Sequence, residues 1–375
     1  MALEIPSHHR GLVLESVEKN LSGVHIKTLP TPQAETGSAI VRVLSAGVLS
    51  YQRDIYDGTR DYPIPKPLVG GMSAIGRVVA VGRDAVTLQP GKLVYVDCVI
   101  RGRDNLDAMI LSAISDGFNE PSQRLMKDAW RDGVFAEFAR FPLESCVLLD
   151  EARLCQSLGY SINDLTYINY LLVAYGGLRD IRVEPGETVI ICPATGGFGG
   201  AGVQVAIAMG ARVIAMGRNE AELARLKTHV VKGTPGANIE TVKITGNEEH
   251  DTATLQTFGT IDAVLDLSPA AASKSPHLNS AITALRRKGR ISLMGGFHDG
   301  PIPSFQIIAK DLMIKGKFMY EREDMQQLIK MLERGLFPRG SDFADVKSFS
   351  LDHWKAALDM GAEYTGIGRF VAITP

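Results

Sequence analysis

The sequence predicts an α/β fold in which a doubly wound parallel sheet follows a smaller β-rich unit. Three observations predict it. An apolar strand, a glycine-rich turn, a small-residue helix and a second strand follow one another across 188–216. Strand and helix patterns then alternate to residue 294, which implies parallel strands joined by helical crossovers. Before residue 141, short β-branched runs recur between glycine turns instead.

The bulk numbers fit this picture. At 375 residues the chain is too long for one ordinary core and suggests two domains. It is 45% hydrophobic and 22% charged with a net charge of −2, which argues against nucleic acid or an anionic membrane as partner. No apolar run could span a bilayer, and the N-terminus lacks the apolar core of a secretory signal, so a cytoplasmic location is expected. Cys98, Cys146, Cys155 and Cys192 lack C-x-x-C spacing and are expected as reduced thiols in or near the core.

In chain order, strands are expected at 39–44, 76–81 and, after the Pro90-Gly91 turn, up to 97. Residues 101–131 read as an inserted lobe with some helix, and 133–141 as a return to strand alternation. Ser161-Ile-Asn-Asp164 looks like a helix cap, followed by Leu165, Ile168, Leu171, Leu172 and Tyr175 at helical spacing. Strands are then expected at 189–192, 212–216, 240–244, 261–267 and 290–294, with helices at 197–209, 220–229 and 280–287. A last sheet strand within 311–319 and two amphipathic tail helices complete the pattern.

The turn Ala194-Thr195-Gly196-Gly197-Phe198-Gly199 carries the chemistry. It is a G-x-G-x-x-G pattern with alanine in the first place, between a strand and a helix, as a dinucleotide-binding unit requires. A phosphate diester needs backbone N–H groups and a helix N-terminus brought close to it. Side chains at Gly196 and Gly197 would block that approach, and Gly199 lets the helix start lie close to the strand. About 20 residues on, a site for NAD would carry an acid for the ribose hydroxyls. Here Gly217 removes the acid that would repel a 2′-phosphate, and Arg218 offers a planar cation suited to one. Asn219 adds a hydrogen bond or caps the next helix. NADP(H) is therefore expected over NAD(H).

Further residues support a family resemblance. Gly47-Val48 precedes a polar loop, and Pro67-Leu-Val-Gly-Gly71 precedes Ile75-Gly-Arg-Val-Val-Ala-Val-Gly82. Gly133-Val-Phe-Ala-Glu-Phe138, Asp262-Ala-Val-Leu-Asp266, Gly289-Arg-Ile-Ser-Leu-Met-Gly-Gly296 and Lys315-Gly-Lys-Phe-Met-Tyr320 follow in order. Over nearly its whole length the chain resembles the medium-chain dehydrogenase/reductases of the zinc alcohol dehydrogenase superfamily. The resemblance implies a GroES-like β-rich catalytic domain, 1–164 with 315–375, around a Rossmann NADP-binding domain at 165–314. It also implies cofactor contacts at Ser268 and at Gly295, Gly296 and Phe297. A homodimer paired near Leu312 to Phe318 is implied as well.

Departures from the family pattern point to a zinc-free member. Zinc members carry cysteine, Gly-His-Glu and a cysteine or acid where this chain has Leu49, Gly71-Met72-Ser73 and Asn169. Leucine and methionine cannot replace thiolate and imidazole as catalytic zinc ligands. The four-cysteine structural-zinc lobe is replaced by 101–131. Another proton donor is then required. The comparison places Tyr51 at the relay serine or threonine position and Asp54 at the relay histidine position. Tyr51 could donate to a developing alkoxide or enolate, or could only line the pocket. Leu49, Ser50, Tyr62, Met72 and Asn169 are expected pocket residues, with Tyr320 a weaker candidate, and their apolar share favours a hydrophobic substrate. The expected function is NADPH-dependent reduction of a ketone, aldehyde or enone-type double bond. The alternatives are a cofactor-assisted isomerase or lyase, or a non-catalytic NADP-binding protein.

Overall fold

In the computed structural model, which describes residues 5–296 and 303–375, the chain divides into two units. The first comprises Met1–Asn169, Val346–Thr365 and Phe370–Pro375, and the second Tyr170–Asp345 and Gly366–Arg369.

The first unit is built on one long strand. Ser38–Val48 pairs antiparallel with Ala74–Val81, Phe138–Pro142 and Arg369–Thr374 within a seven-stranded sheet. Its β-branched and small residues are buried almost throughout, as a strand covered on both faces requires. A three-stranded sheet around His8–Leu14 and a hairpin of Val99–Arg101 with Met109–Leu111 complete the strands. The 101–131 lobe contains the helix Glu120–Asp128, capped by the Asn119 side chain. Alternation across 133–141 does not hold, because Val134, Phe135 and Ala136 are all buried and the regular strand begins only at Phe138. Ser161 and Asp164 form a reciprocal cap as expected, but the helix breaks after Leu165 and resumes at Ile168–Asp180.

The second unit is a six-stranded all-parallel sheet. Its strands, numbered within this unit, are β1 Thr188–Cys192, β2 Arg212–Gly217, β3 Ile239–Lys243, β4 Ala263–Asp266, β5 Arg290–Leu293 and β6 Met313–Gly316. The spatial order is β3-β2-β1-β4-β5-β6, with order reversing beside β1. That is the doubly wound dinucleotide-binding order, and its ligand crevice lies at the carboxyl ends of the strands near the reversal. Ile190, Ile214, Val264 and Ile291 pack in one buried core against the helix His277–Ala284. Helix Glu248–Gln256 had no counterpart in the sequence reading; its polar sequence buries only Asp251 and Leu255.

Residues 315–345 group with this second unit, whereas the sequence expectation assigned them to the first. The physical reasons are local. β6 completes the parallel sheet beside β5, and Arg179 on the preceding helix pairs with Glu323 and Asp324 of the helix Arg322–Glu333 at 2.9 and 3.1 Å.

Candidate functional site

β1 ends at Cys192 and the glycine turn follows directly. Gly196 caps the helix Gly197–Ala208 in an extended conformation, so the first-turn N–H groups of that helix open at the turn. The four glycines have different surroundings. A Cβ at Gly199 would lie 2.0 Å from the Pro193 carbonyl oxygen, so strand and helix start touch as the motif requires. A Cβ at Gly197 would lie 2.5 Å from the Tyr170 ring, and one at Gly200 2.5 Å from the Ile367 backbone. Tyr170 and Phe198 pack at 4.3 Å between ring centroids and hold the turn from the side. A Cβ at Gly196 would meet nothing within 4 Å. Gly196→Ala should therefore leave the melting temperature unchanged and weaken cofactor binding, whereas Gly199→Ala should lose about 1–3 kcal/mol of stability. Thermal melts and cofactor titrations of the two variants check this contrast.

The Ala194 N–H donates to the Met216 carbonyl at 2.7 Å and ties the turn to the end of β2. There Gly217 is buried and Arg218 exposed. The structure adds a steric reason for the glycine: a Cβ at 217 would lie 2.7 Å from the Thr195 methyl. Asn219 caps the helix Glu220–Gly233, accepting from the Ala221 and Glu222 N–H groups at 3.0 and 3.2 Å. Nearby acids are paired with other cations, Glu220 with Lys243 and Glu222 with Arg225 at 2.9 and 2.8 Å. At the end of β4, the Ser268 carbonyl accepts from the Gly296 N–H at 3.0 Å. Gly295 is packed so closely that a Cβ would lie 2.4 Å from the Ser268 carbonyl oxygen. Phe297 lies outside the described residues.

In the first unit, Leu49 and Met72 are 1% and 3% exposed, and Asn169 is 1% exposed. The structure brings two of them together: Asn169 Nδ2 lies 4.0 Å from Met72 Sδ. Asn169 Oδ1 and Ser73 Oγ are buried without a hydrogen-bond partner among the described residues. Tyr51 is half-buried at the start of the helix Gln52–Tyr56 and stacks on Tyr62, with ring centroids 6.2 Å apart. The Arg60 guanidinium lies over the Tyr51 ring, 4.5 Å from its centroid, and 3.6 Å from the Asp54 carboxylate. Tyr51 and Asp54 thus meet at a cation, Arg60, that the sequence does not signal, and Tyr62 stacks on Tyr51.

Tyr56 holds this helix to the Met72 turn. Its phenol oxygen accepts from Gln52 Nε2 and the Gly71 N–H at 3.0 and 3.1 Å. Burial pushes the Tyr56 phenol up to about 12, so its role is structural. Tyr320 is also fully buried, and a Cβ at Gly176 would lie 2.7 Å from the Tyr320 Cβ.

Comparison with known proteins agrees with this geometry. Residues 35–151 match the alcohol dehydrogenase GroES-like domain, and residues 197–334 match the zinc-binding dehydrogenase family. The chain belongs to the medium-chain dehydrogenase/reductase superfamily. Alcohol dehydrogenase 2 of Caenorhabditis elegans is 23% identical over 345 residues, covering 88% of each chain. The acryloyl-coenzyme A reductase of Metallosphaera sedula is 25% identical over 335 residues, covering 85% of this chain and 88% of that one. The solved structure of an alcohol dehydrogenase from E. coli CFT073, complexed with NADH, is 20% identical with a TM-score of 0.75, covering 99% of this chain and 100% of that one.

For this dehydrogenase/reductase the coarse activity follows: it is an oxidoreductase that uses a nicotinamide cofactor. Among the described residues no helix is long and apolar enough to cross a membrane.

Proposed function

We propose that the chain is a zinc-independent, NADPH-dependent reductase acting on a hydrophobic ketone, aldehyde or enone. The observation that carries the zinc-independent reading is the donor set at the family's metal position. Leu49 offers no donor atom, Met72 a thioether and Asn169 an amide, all buried. A catalytic zinc takes thiolate, imidazole or carboxylate ligands, so these residues do not fit it. The apolar members favour a hydrophobic substrate group, while Asn169 and Ser73 can meet one polar substrate atom.

The glycine turn and helix Gly197–Ala208 fit a pyrophosphate, and Gly217 with the exposed Arg218 fits a 2′-phosphate. Bound there, the cofactor supplies a hydride. Tyr51 then donates its phenolic proton to the oxygen, or to the enolate, that the reduction makes negative. Arg60, held by Asp54, fixes the Tyr51 ring and places a positive charge beside the phenol as that proton leaves. Asp54 acts through Arg60 in this reading and does not carry the proton itself.

Deuterium supplied at the transferable position of NADPH should appear stereospecifically in the product of at least one hydrophobic enone or ketone. Product formed without NADPH consumption would favour an isomerase or lyase, and NADPH binding without turnover across the panel a non-catalytic protein.

We also propose that two chains pair along β6. β6 is the outer strand of the parallel sheet, and Phe305, Ile308, Met313 and Phe318 are between 43% and 76% exposed around it. Such an edge is covered in most natural sheets. Sedimentation should give the mass of two chains, and Met313→Lys should shift the population towards one.

A further inference from the structure

Three side chains, one of them 74 positions from its nearest partner, converge inside the dinucleotide-binding unit. Cys192 ends β1, Asp266 ends β4, and His277 opens the helix His277–Ala284. They are 0%, 0% and 1% exposed. Cys192 Sγ lies 3.8 Å from Asp266 Oδ1, and His277 Nε2 lies 3.7 Å from the same oxygen. All three ligand atoms lie within 4.8 Å of one another. Ser268 Oγ reaches into the group, 2.6 Å from Asp266 Oδ1 and 2.8 Å from His277 Nε2.

We propose that Cys192, Asp266 and His277 form a closed binding site for one zinc-class divalent ion, with the Ser268 hydroxyl oxygen as fourth ligand. Tetrahedral zinc, with bonds of about 2.0–2.3 Å, sets S, N and O ligand atoms about 3.3–3.6 Å apart. The two distances to Asp266 shorten by a few tenths of an ångström to reach that geometry, and the Ser268 hydroxyl moves out from its hydrogen-bond distances of 2.6 and 2.8 Å to the same separation.

Charge supports the same site. Asp266 is wholly buried, and among the described residues its ion-pair partner is His277, with no lysine or arginine. A buried carboxylate needs a compensating cation. One divalent ion with a thiolate, a carboxylate and a neutral imidazole is neutral overall. On binding, the Cys192 thiol gives its proton to solvent. Burial holds that thiol well above its ordinary range. The imidazole is already oriented: its Nδ1 lies 2.8 Å from Ser275 Oγ, leaving Nε2 towards the cluster.

Four protein ligands leave the ion no open position, so the site is structural, and of its ligands only Ser268 is also expected at the cofactor. It would join the carboxyl ends of β1 and β4 to the first turn of the helix. Through the Ser268 carbonyl it would also steady the Gly296 backbone.

The test uses the full chain, stripped by chelator and titrated with cobalt or zinc chloride. Expected are one equivalent of cobalt with a thiolate-to-metal charge-transfer band and a higher melting temperature with zinc. Cys192→Ser should abolish the band, and His277→Asn, which removes a ligand rather than a supporting partner, should weaken binding by about 100-fold or more. If either variant fails to fold, zinc-edge anomalous density in wild-type crystals decides, with a peak expected among the three side chains. Folded wild type that takes up no equivalent overturns the site. A thiolate band that survives Cys192→Ser, or an anomalous peak elsewhere only, also overturns it. Failure of the zinc-independent reading shows differently, as zinc-dependent turnover that persists in Cys192→Ser.

Discussion

Tyr51→Phe should lower kcat by about 10²-fold or more, within the range of lost general acid catalysis, while the Kd for NADPH stays at its wild-type value. Phenylalanine keeps the ring that stacks on Tyr62 and lies under Arg60, so the substitution removes little besides the hydroxyl. The helix Gln52–Tyr56 should keep its place, because Gln52 and Gly71 still anchor it through Tyr56. The pH profile separates donation from packing. A proton donor removed takes the pH dependence of kcat with it, whereas a lost contact lowers kcat evenly across pH. Wild-type kcat in Tyr51→Phe would remove Tyr51 from the mechanism.

Arg218→Ala should weaken NADPH binding by about 10–100-fold and leave NADH binding within about twofold. A hydrogen bond to a charged group contributes about 1.5–3 kcal/mol, and every 1.4 kcal/mol is tenfold in affinity. Arg218 is exposed while the acids around it are engaged elsewhere, so its charge is available to a 2′-phosphate. Higher salt should reduce the NADPH advantage, because an exposed ion pair is screened. The reverse design, Gly217→Asp, is a poorer test, since any Cβ there must displace the Thr195 methyl. Equal affinity for NADH and NADPH in the wild type, unchanged by Arg218→Ala, would contradict the cofactor reading.

The parts legible in the sequence were those written within a few residues. The strand, glycine turn and helix at 188–208 are one local unit, and close backbone approach at Gly199 is what its motif demands. The Ser161 cap was equally local. The contact between Asn169 and Met72 was legible only through the family resemblance, since 97 positions separate them. Arg60 over Tyr51 was missed because the eight intervening residues of turn and short helix carry no period. The Cys192, Asp266 and His277 cluster left no sequence signal, because sheet order alone brings β1 beside β4. Cys192 read as an ordinary core thiol, and its burial agrees with that reading as far as it went.

The proposed reaction is hydride transfer without a catalytic metal. It is tested most directly by deuteride transfer from labelled NADPH to an enone in Cys192→Ser protein, before and after exhaustive chelation. That variant removes the proposed structural ion from the comparison. The same turnover is expected in both samples, with no gain on adding zinc. Turnover lost on chelation and restored by zinc would contradict it.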